Sequence, residues 1–213
     1  MFYTIIALGI PHIRAKVWSL LSDYVPTDQE VVESTLKRKR GEYIDLVKHY
    51  FNEAAPQDTV EKLAEKIGDM SAYENTNFKQ IKIDVIRTQP EVELFSKQCI
   101  QTMMIRILFI WSMRHPASAY VQGINDLAAP MVVIFLTSSV FLMQNRQNEQ
   151  VAEESKNEFI KQSKAGKSAT CYEMLSEEDV LGLDSDSFLA VEADAFWCLS
   201  KLIDDIQDNY TEM

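Results

Sequence analysis

The sequence predicts an all-α fold without a sheet, and three observations lead to that prediction. Glycine and proline are scarce, with six of each among 213 residues, so few turns are available to connect many short strands. Apolar residues make up 46% and charged residues 25%, which is the balance of a soluble globular domain. Long stretches of the chain also repeat apolar residues at helical spacing.

The first long helix is predicted from about residue 28 to residue 52. Thr27 and Glu30 have the spacing of a capping box, and apolar residues recur at helical intervals after them. A short amphipathic helix is expected over residues 58–69. A polar stretch, SAYENTNF, then separates it from the segment that ends at Pro90.

Two strongly apolar helices are predicted in the middle of the chain. The first spans about residues 96–114, and the second begins near Asn125 or Asp126, either of which could cap it. The second helix includes 17 uncharged residues, 127–143, close to the ~17–25 that cross a bilayer. Pro130 and the weak charge of the flanking segments favour a buried helix over a membrane span.

The C-terminal third is acidic and begins with a polar stretch. Residues 144–187 are rich in Gln, Asn, Glu, Lys and Ser, and we expect an exposed insertion there before a last helix resumes the apolar pattern. The net charge is −11, and residues 149–213 carry 5 basic and 16 acidic side chains. The basic run at 37–40 is expected to be a solvated helix face, so no nucleic-acid footprint is indicated.

The composition also argues against metal centres, disulfides and secretion. Three cysteines and three histidines are scattered without the spacing of a zinc site or of a disulfide framework. The N-terminus lacks the basic region and the cleavage site of a secretory signal. We therefore expect a cytosolic protein without a metal centre or a disulfide framework.

Two polar side chains, Arg87 and Gln122, stand out as candidates for chemistry. Asp84 and Arg87 lie three residues apart and can share one helical face, and Pro90 ends that turn. Gln122 precedes Gly123, which allows a tight turn beside a neutral donor and acceptor. From the residues alone, these patterns are more often an intrahelical ion pair and a turn.

Four ordered runs of the chain form one recognisable set: GIPHIR with Val17-Trp18, IKIDVIRTQP at 81–90, YVQGINDL at 120–127 and EADAFWC at 192–198. In these runs the sequence resembles the TBC domain of Rab GTPase-activating proteins. Three stretches, LKRKRGEY, ILFIWSMRHPASAYVQGINDLAAP and DDIQDNY, look most similar to the member 22 branch of that family.

The resemblance implies that two residues act on a partner GTPase. Arg87 would be an arginine finger that stabilises charge on the transferring phosphoryl group, and Gln122 would be a glutamine finger that orients the attacking water. Asp84 would orient the Arg87 loop, and Trp18 would belong to the core. Supporting roles are implied for five other residues in the same runs: Arg14, Tyr120, Gly123, Asn125 and Asp126. Of these, Asn125 and Asp126 would be caps, and Arg14 would be a secondary contact or a structural ion-pair partner.

The implied partner is a Rab-family GTPase in its GTP-bound state, which would carry GTP and Mg²⁺ itself. The family domain normally continues with further helices, so residues 1–213 would form its N-terminal two-thirds, a C-terminally truncated domain. Two other readings stay open: a non-catalytic Rab-binding or scaffold module, and a membrane-anchored helical protein. The expected role is in vesicle trafficking and intracellular protein transport, in the cytoplasm or peripherally at Golgi or other endomembranes.

Overall fold

The computed structural model describes residues 10–52, 59–66, 71–151, 175 and 177–211, and every regular element within them is helical. The predicted all-α fold is therefore confirmed for this part of the chain. There are eight α-helices and one 3-10 helix in these ranges: α1 Pro11–Leu21, α2 Gln29–Phe51, α3 Val60–Lys66, α4 Ala72–Ile86, the 3-10 helix Glu93–Ser96, α5 Gln98–Arg114, α6 Ile124–Val151, α7 Glu177–Leu181 and α8 Ser185–Thr211.

The start of α2 differs from the predicted capping box at Thr27. Asp28 is the N-cap, and its carboxylate accepts the Glu30 backbone N–H at 3.0 Å. A carboxylate at this position accepts a hydrogen bond from a free backbone N–H, and its negative charge interacts favourably with the positive N-terminal end of the helix dipole. Asp28 therefore takes the role that the sequence pattern gave to Thr27.

The polar stretch SAYENTNF opens a helix instead of separating two. Ser71 caps α4 and forms a capping box with Glu74: the Ser71 N–H donates to the Glu74 carboxylate at 2.8 Å, and the Glu74 N–H donates to the Ser71 hydroxyl at 3.3 Å. These bonds hold the pKa of Glu74 below its ordinary value. Polar composition alone therefore gave the wrong interpretation of this segment.

Helices α5 and α6 lie at the centre of the core. Nearly all of α5 between Ile100 and Ser112 is buried, and α6 is buried continuously from Ala128 to Leu136. The α6 segment Ile124–Arg146 is long and apolar enough to span a membrane, but 67% of its apolar window is covered by protein. This burial favours the predicted core helix. Trp18 packs against the same core and is only partly buried.

Helix α8 is fixed to the core by a buried ion pair. Arg106 of α5 reaches Glu192 with two nitrogens, and its Nε lies 2.7 Å from Glu192 Oε1. Tyr43 of α2 donates its hydroxyl to the same oxygen at 2.6 Å. Both charged side chains are fully buried, so the fork of Arg106 and the phenol of Tyr43 supply the bonds that water would otherwise provide. Burial and the neighbouring carboxylate raise the pKa of Tyr43.

A second clamp on α8 involves the basic run at 37–40. Arg40 Nε and Nη2 donate to Asp194 at 2.8 and 2.6 Å, and Tyr24 donates to Asp194 at 2.6 Å. The Lys39 ammonium lies 3.9 Å from the centre of the Trp197 ring. The expectation of a plain solvated face is therefore wrong for Lys39 and Arg40, because both contact α8. The other two basic residues of the run, Lys37 and Arg38, are exposed.

The two ends of the predicted insertion at 144–187 belong to helices. Residues 144–151 continue α6, and α7 packs on α6 through a hydrogen bond from Gln144 Nε2 to Asp179 at 2.8 Å. Val180 and Leu183 are buried. Residues 152–174 and 176 lie outside the described residues, so the insertion stays a prediction there.

Candidate functional site

Arg87 stands at the C-terminal end of α4, where the helix stops. It occupies the C-cap position, and its guanidinium is about half exposed. Its Nη2 pairs with the carboxylate of Asp84, which is fully buried one turn earlier. The spacing of three residues therefore places both groups on one face, as the sequence indicated.

The Asp84 carboxylate holds three donors. Besides Arg87, Gln80 Nε2 donates to its Oδ1 at 3.1 Å and the Tyr120 hydroxyl donates to its Oδ2 at 2.9 Å. Burial, and then the bond to Asp84 and its charge, raise the pKa of Tyr120 far above its ordinary value. Tyr120 therefore stays protonated and keeps donating to the carboxylate.

Asn125 connects the segment after α4 to the segment before α6. Its Oδ1 accepts the Gly123 N–H at 3.1 Å, and its Nδ2 donates to the Thr88 hydroxyl at 2.9 Å. Thr88 in turn donates to the backbone carbonyl of Asp84 at 2.9 Å. All of these side chains are buried, so the network holds the two segments in one arrangement. We call the group Asp84, Thr88, Tyr120 and Asn125 the polar network.

The predicted capping roles of Asn125 and Asp126 are wrong. Helix α6 begins at Ile124, so both residues lie inside its first turn. Asn125 Oδ1 accepts the N–H of Gly123, the residue before the helix, and its Nδ2 donates to Thr88, so Asn125 does not occupy the N-cap position. Asp126 is exposed, and its backbone N–H donates to the Gly123 carbonyl at 3.1 Å.

Gly123 permits the turn that presents Gln122. Its φ is +106°, a conformation that residues with a side chain rarely adopt, and among the described residues other than its two chain neighbours no atom lies within 4 Å of the place a Cβ would take. Glycine is therefore required by the backbone angle and not by lack of space. Gln122 itself is exposed, and its side chain makes no hydrogen bond to any residue in the described ranges.

Two further residues contribute to the scaffold, one that the sequence analysis predicted and one that it did not. Arg14 is buried in α1, with 6% of its surface exposed, so it is a structural residue and is not available as an exposed secondary contact. Thr88 is the residue that the sequence analysis missed. It lies within the IKIDVIRTQP run, next to Arg87, but no local pattern indicates that its partner is 37 residues away.

The arrangement presents one cationic and one neutral amide side chain to solvent from a rigid base. Arg87 carries further N–H donors besides the one that Asp84 accepts, and Gln122 offers a donor and an acceptor. In the part of the chain that the structure describes, no group of three His, Cys, Asp or Glu side chains is placed to hold a metal ion. Such a site can act on charge and water that belong to another molecule.

Comparison with known proteins identifies the family. A family model described as the Rab-GTPase-TBC domain matches residues 11–213. The chain belongs to the Rab-GTPase-TBC family. This TBC domain is 39% identical over 207 residues to TBC1 domain family member 22B of Homo sapiens, an alignment that covers 95% of this chain and 31% of that protein. The resemblance to the member 22 branch is therefore confirmed.

Relatives in yeast agree with this assignment. The GTPase-activating protein GYP1 of Saccharomyces cerevisiae is 34% identical over 209 residues, 95% of this TBC domain and 25% of that protein. The crystal structure of the Ypt/Rab-GAP domain of Gyp1p superposes with a TM-score of 0.66 at 32% identity and covers 98% of this chain and 52% of the solved one. The chain spans about a third or less of the length of these curated relatives.

Proposed function

We propose that this TBC domain accelerates GTP hydrolysis by a Rab-family GTPase, with Arg87 and Gln122 acting in trans. The observation that supports the proposal is that both side chains are exposed while their segments are anchored to one buried polar network. A pair of catalytic groups must keep a fixed separation to act on one phosphoryl group. The network provides that constraint.

Arg87 would stabilise negative charge on the transferring phosphoryl oxygens. The bond to Asp84 uses one nitrogen, so the guanidinium has other donors for the phosphate while the anchor is kept. An arginine finger contributes roughly 10³–10⁵ in rate. That corresponds to about 4–7 kcal/mol of activation free energy at 1.36 kcal/mol per tenfold change.

Gln122 would orient the water that attacks the phosphoryl group. A neutral amide can accept a hydrogen bond from water and donate one to a phosphate oxygen at the same time. The exposed position before Gly123 lets the side chain enter a partner's nucleotide site. This role supplies no proton and needs no shifted pKa.

The partner would bring the nucleotide and the metal. GTP and Mg²⁺ would be held by the Rab in its GTP-bound state, and this chain would contribute side chains only. A role in vesicle trafficking follows from the proposed partner class, with the chain in the cytoplasm or peripherally associated with Golgi or other endomembranes.

The test is phosphate release from a panel of GTP-loaded Rabs with the wild-type chain, three finger variants and one control variant. Arg87→Ala should lower the catalysed rate by about 10³-fold or more. Arg87→Lys should lower it as much, because lysine lacks the planar fork of the guanidinium. Gln122→Ala should lower it strongly, with unchanged helicity. Arg38→Ala is the matched control, since Arg38 is an exposed arginine in a helical ion pair with Glu42. It should hydrolyse like wild type.

Binding measurements separate catalysis from recognition. Wild type should bind the Rab–GDP–aluminium fluoride complex, which mimics the phosphoryl group in transfer, much better than Arg87→Ala does, while both bind ground-state Rab–GTP similarly. Equal rates for Arg87→Ala and wild type would refute the arginine role. Wild type that binds a Rab without accelerating hydrolysis would instead establish the scaffold function.

A further inference from the structure

A cavity of about 440 Å³ opens between helices α1, α2, α6 and α8. This volume lies within the range of roughly 300–1,000 Å³ that is typical of small-molecule sites. The cavity is remote from the two proposed fingers: Ser138, which lines it, lies about 21 Å along α6 from Ile124, at 1.5 Å per residue. The proposed function makes no use of it.

Much of the cavity wall is apolar, and each of the four helices contributes to it. The larger apolar lining side chains are Leu20, Val32, Leu36, Phe135, Leu142 and Val191. Burial of an apolar chain or ring against such a wall is favourable because it removes apolar surface from water. The wall therefore suits a ligand with an apolar body.

The charged lining of the cavity is mainly cationic. Lys16, Arg40 and Arg146 line it, whereas Asp194 is the one acidic residue among its lining residues and already pairs with Arg40. Lys16 Nζ donates to the neutral amide oxygen of Gln29 at 3.2 Å. Neither Lys16 nor Arg146 has an acidic partner in the part of the chain that the structure describes. In a chain of net charge −11, the cavity is thus a local site of positive charge.

One polar group in the cavity wall is buried without a partner. Ser138 is only 8% exposed, and its hydroxyl makes no hydrogen bond to any of the described residues. Ser139 lines the cavity beside it. Buried hydroxyl groups normally have a hydrogen-bond partner, which can be protein, water or a ligand. Ser138 can therefore donate to an oxygen atom of a bound molecule.

We propose that this cavity binds a small amphipathic anion, an apolar chain or ring that carries one carboxylate or phosphate group. The apolar body packs against the aliphatic wall, the anionic group lies between Lys16 and Arg146, and the Ser138 hydroxyl donates to one of its oxygens. A neutral apolar ligand gains nothing from the two cations. A small inorganic anion leaves the aliphatic wall in water.

The experiment is isothermal titration calorimetry of the wild-type chain with four compounds. Decanoate and decyl phosphate carry both features of the proposed ligand, whereas decanol lacks the charge and inorganic phosphate lacks the apolar chain. Decanoate and decyl phosphate should bind with a stoichiometry of one and a Kd on the order of 10–100 µM. Decanol should bind about tenfold more weakly, and inorganic phosphate should give no heat of binding.

Charge variants locate the binding site. Lys16→Gln/Arg146→Gln should weaken decanoate binding about tenfold and leave decanol binding unchanged. Both side chains are exposed, so the fold should be kept. Lys37→Gln/Lys201→Gln is the matched control, because it removes the same charge from two exposed positions outside the cavity. It should bind decanoate like wild type.

Removal of the buried hydroxyl gives a second, independent test. Ser138→Ala should weaken decanoate binding about threefold without lowering Tm, since the hydroxyl bonds to none of the described residues. Equal affinities of the Lys16/Arg146 variant, the control variant and wild type for decanoate would overturn the proposal. So would decanol that binds as tightly as decanoate, inorganic phosphate that binds as tightly as decyl phosphate, or no binding of either amphipathic anion. None of these results bears on GTP hydrolysis, so the proposed function is tested separately.

Discussion

Removal of one hydroxyl group should test the polar network without touching either finger. Tyr120→Phe leaves the ring in place and deletes the donor that lies 2.9 Å from Asp84 Oδ2. Asp84 is fully buried, so no water replaces the lost bond. A hydrogen bond to a charged group contributes about 1.5–3 kcal/mol, and its loss should lower the free energy of unfolding by that amount.

The assay for Tyr120→Phe is thermal unfolding followed by circular dichroism. For a domain of this size about 1 kcal/mol corresponds to roughly 2–4 °C, so Tm should fall by about 3–12 °C. Tyr50→Phe is the control, because Tyr50 is also partly buried and packs edge-on against Phe109, but its hydroxyl bonds to none of the described residues. If Tyr120→Phe lowers Tm no more than Tyr50→Phe does, Asp84 does not depend on Tyr120 and the reasoning is refuted.

Two further predictions concern α8. Arg106→Met should lower the free energy of unfolding in urea by about 3–5 kcal/mol, because the Glu192 charge would stay buried without its partner; a loss below about 1 kcal/mol would contradict this. Asp184 accepts the Ser187 N–H at 2.7 Å at the start of α8, and this bond holds its pKa below the ordinary value of 3.8. A lowered folded-state pKa stabilises the protein above pH 3.8, and the stabilisation is lost as the pH falls through the folded-state pKa. Asp184→Asn should therefore show a weaker fall of Tm with acid than wild type, and parallel Tm–pH curves would contradict the assignment.

The helices could be predicted because the residues on their buried faces are apolar and recur at helical spacing in the sequence. The core helices α5 and α6 lie where apolar residues recur at helical spacing, and α2 was located to within one residue at each end. Helix ends were less predictable, since several nearby side chains compete for the same N–H groups. Asp28 caps α2 in place of Thr27. Ser71 and Glu74 form the capping bonds that begin α4 inside a segment expected to be a connection.

The ion pair at the end of α4 could be predicted from the sequence, but the long-range hydrogen bonds of the polar network could not. The spacing of Asp84 and Arg87 indicates their ion pair because both lie on one helix turn. The bonds that Asp84 receives from Tyr120 and that Thr88 receives from Asn125 join residues 36 and 37 positions apart, which no local pattern records. The fingers remain predictions until their rates are measured.

The two clamps fix α8 at one point of its length, between Glu192 and Asp194. Glu192 and Asp194 are held by arginines from two different helices, so α8 can neither rotate nor slide at this point without breaking both ion pairs. An insertion or deletion in the chain before Ser185 should therefore displace only residues that precede Glu192. Natural variation or engineered fusion on that side should leave the hydrogen bonds of the polar network unchanged. The domain can therefore vary in its acidic region while the polar network keeps one geometry.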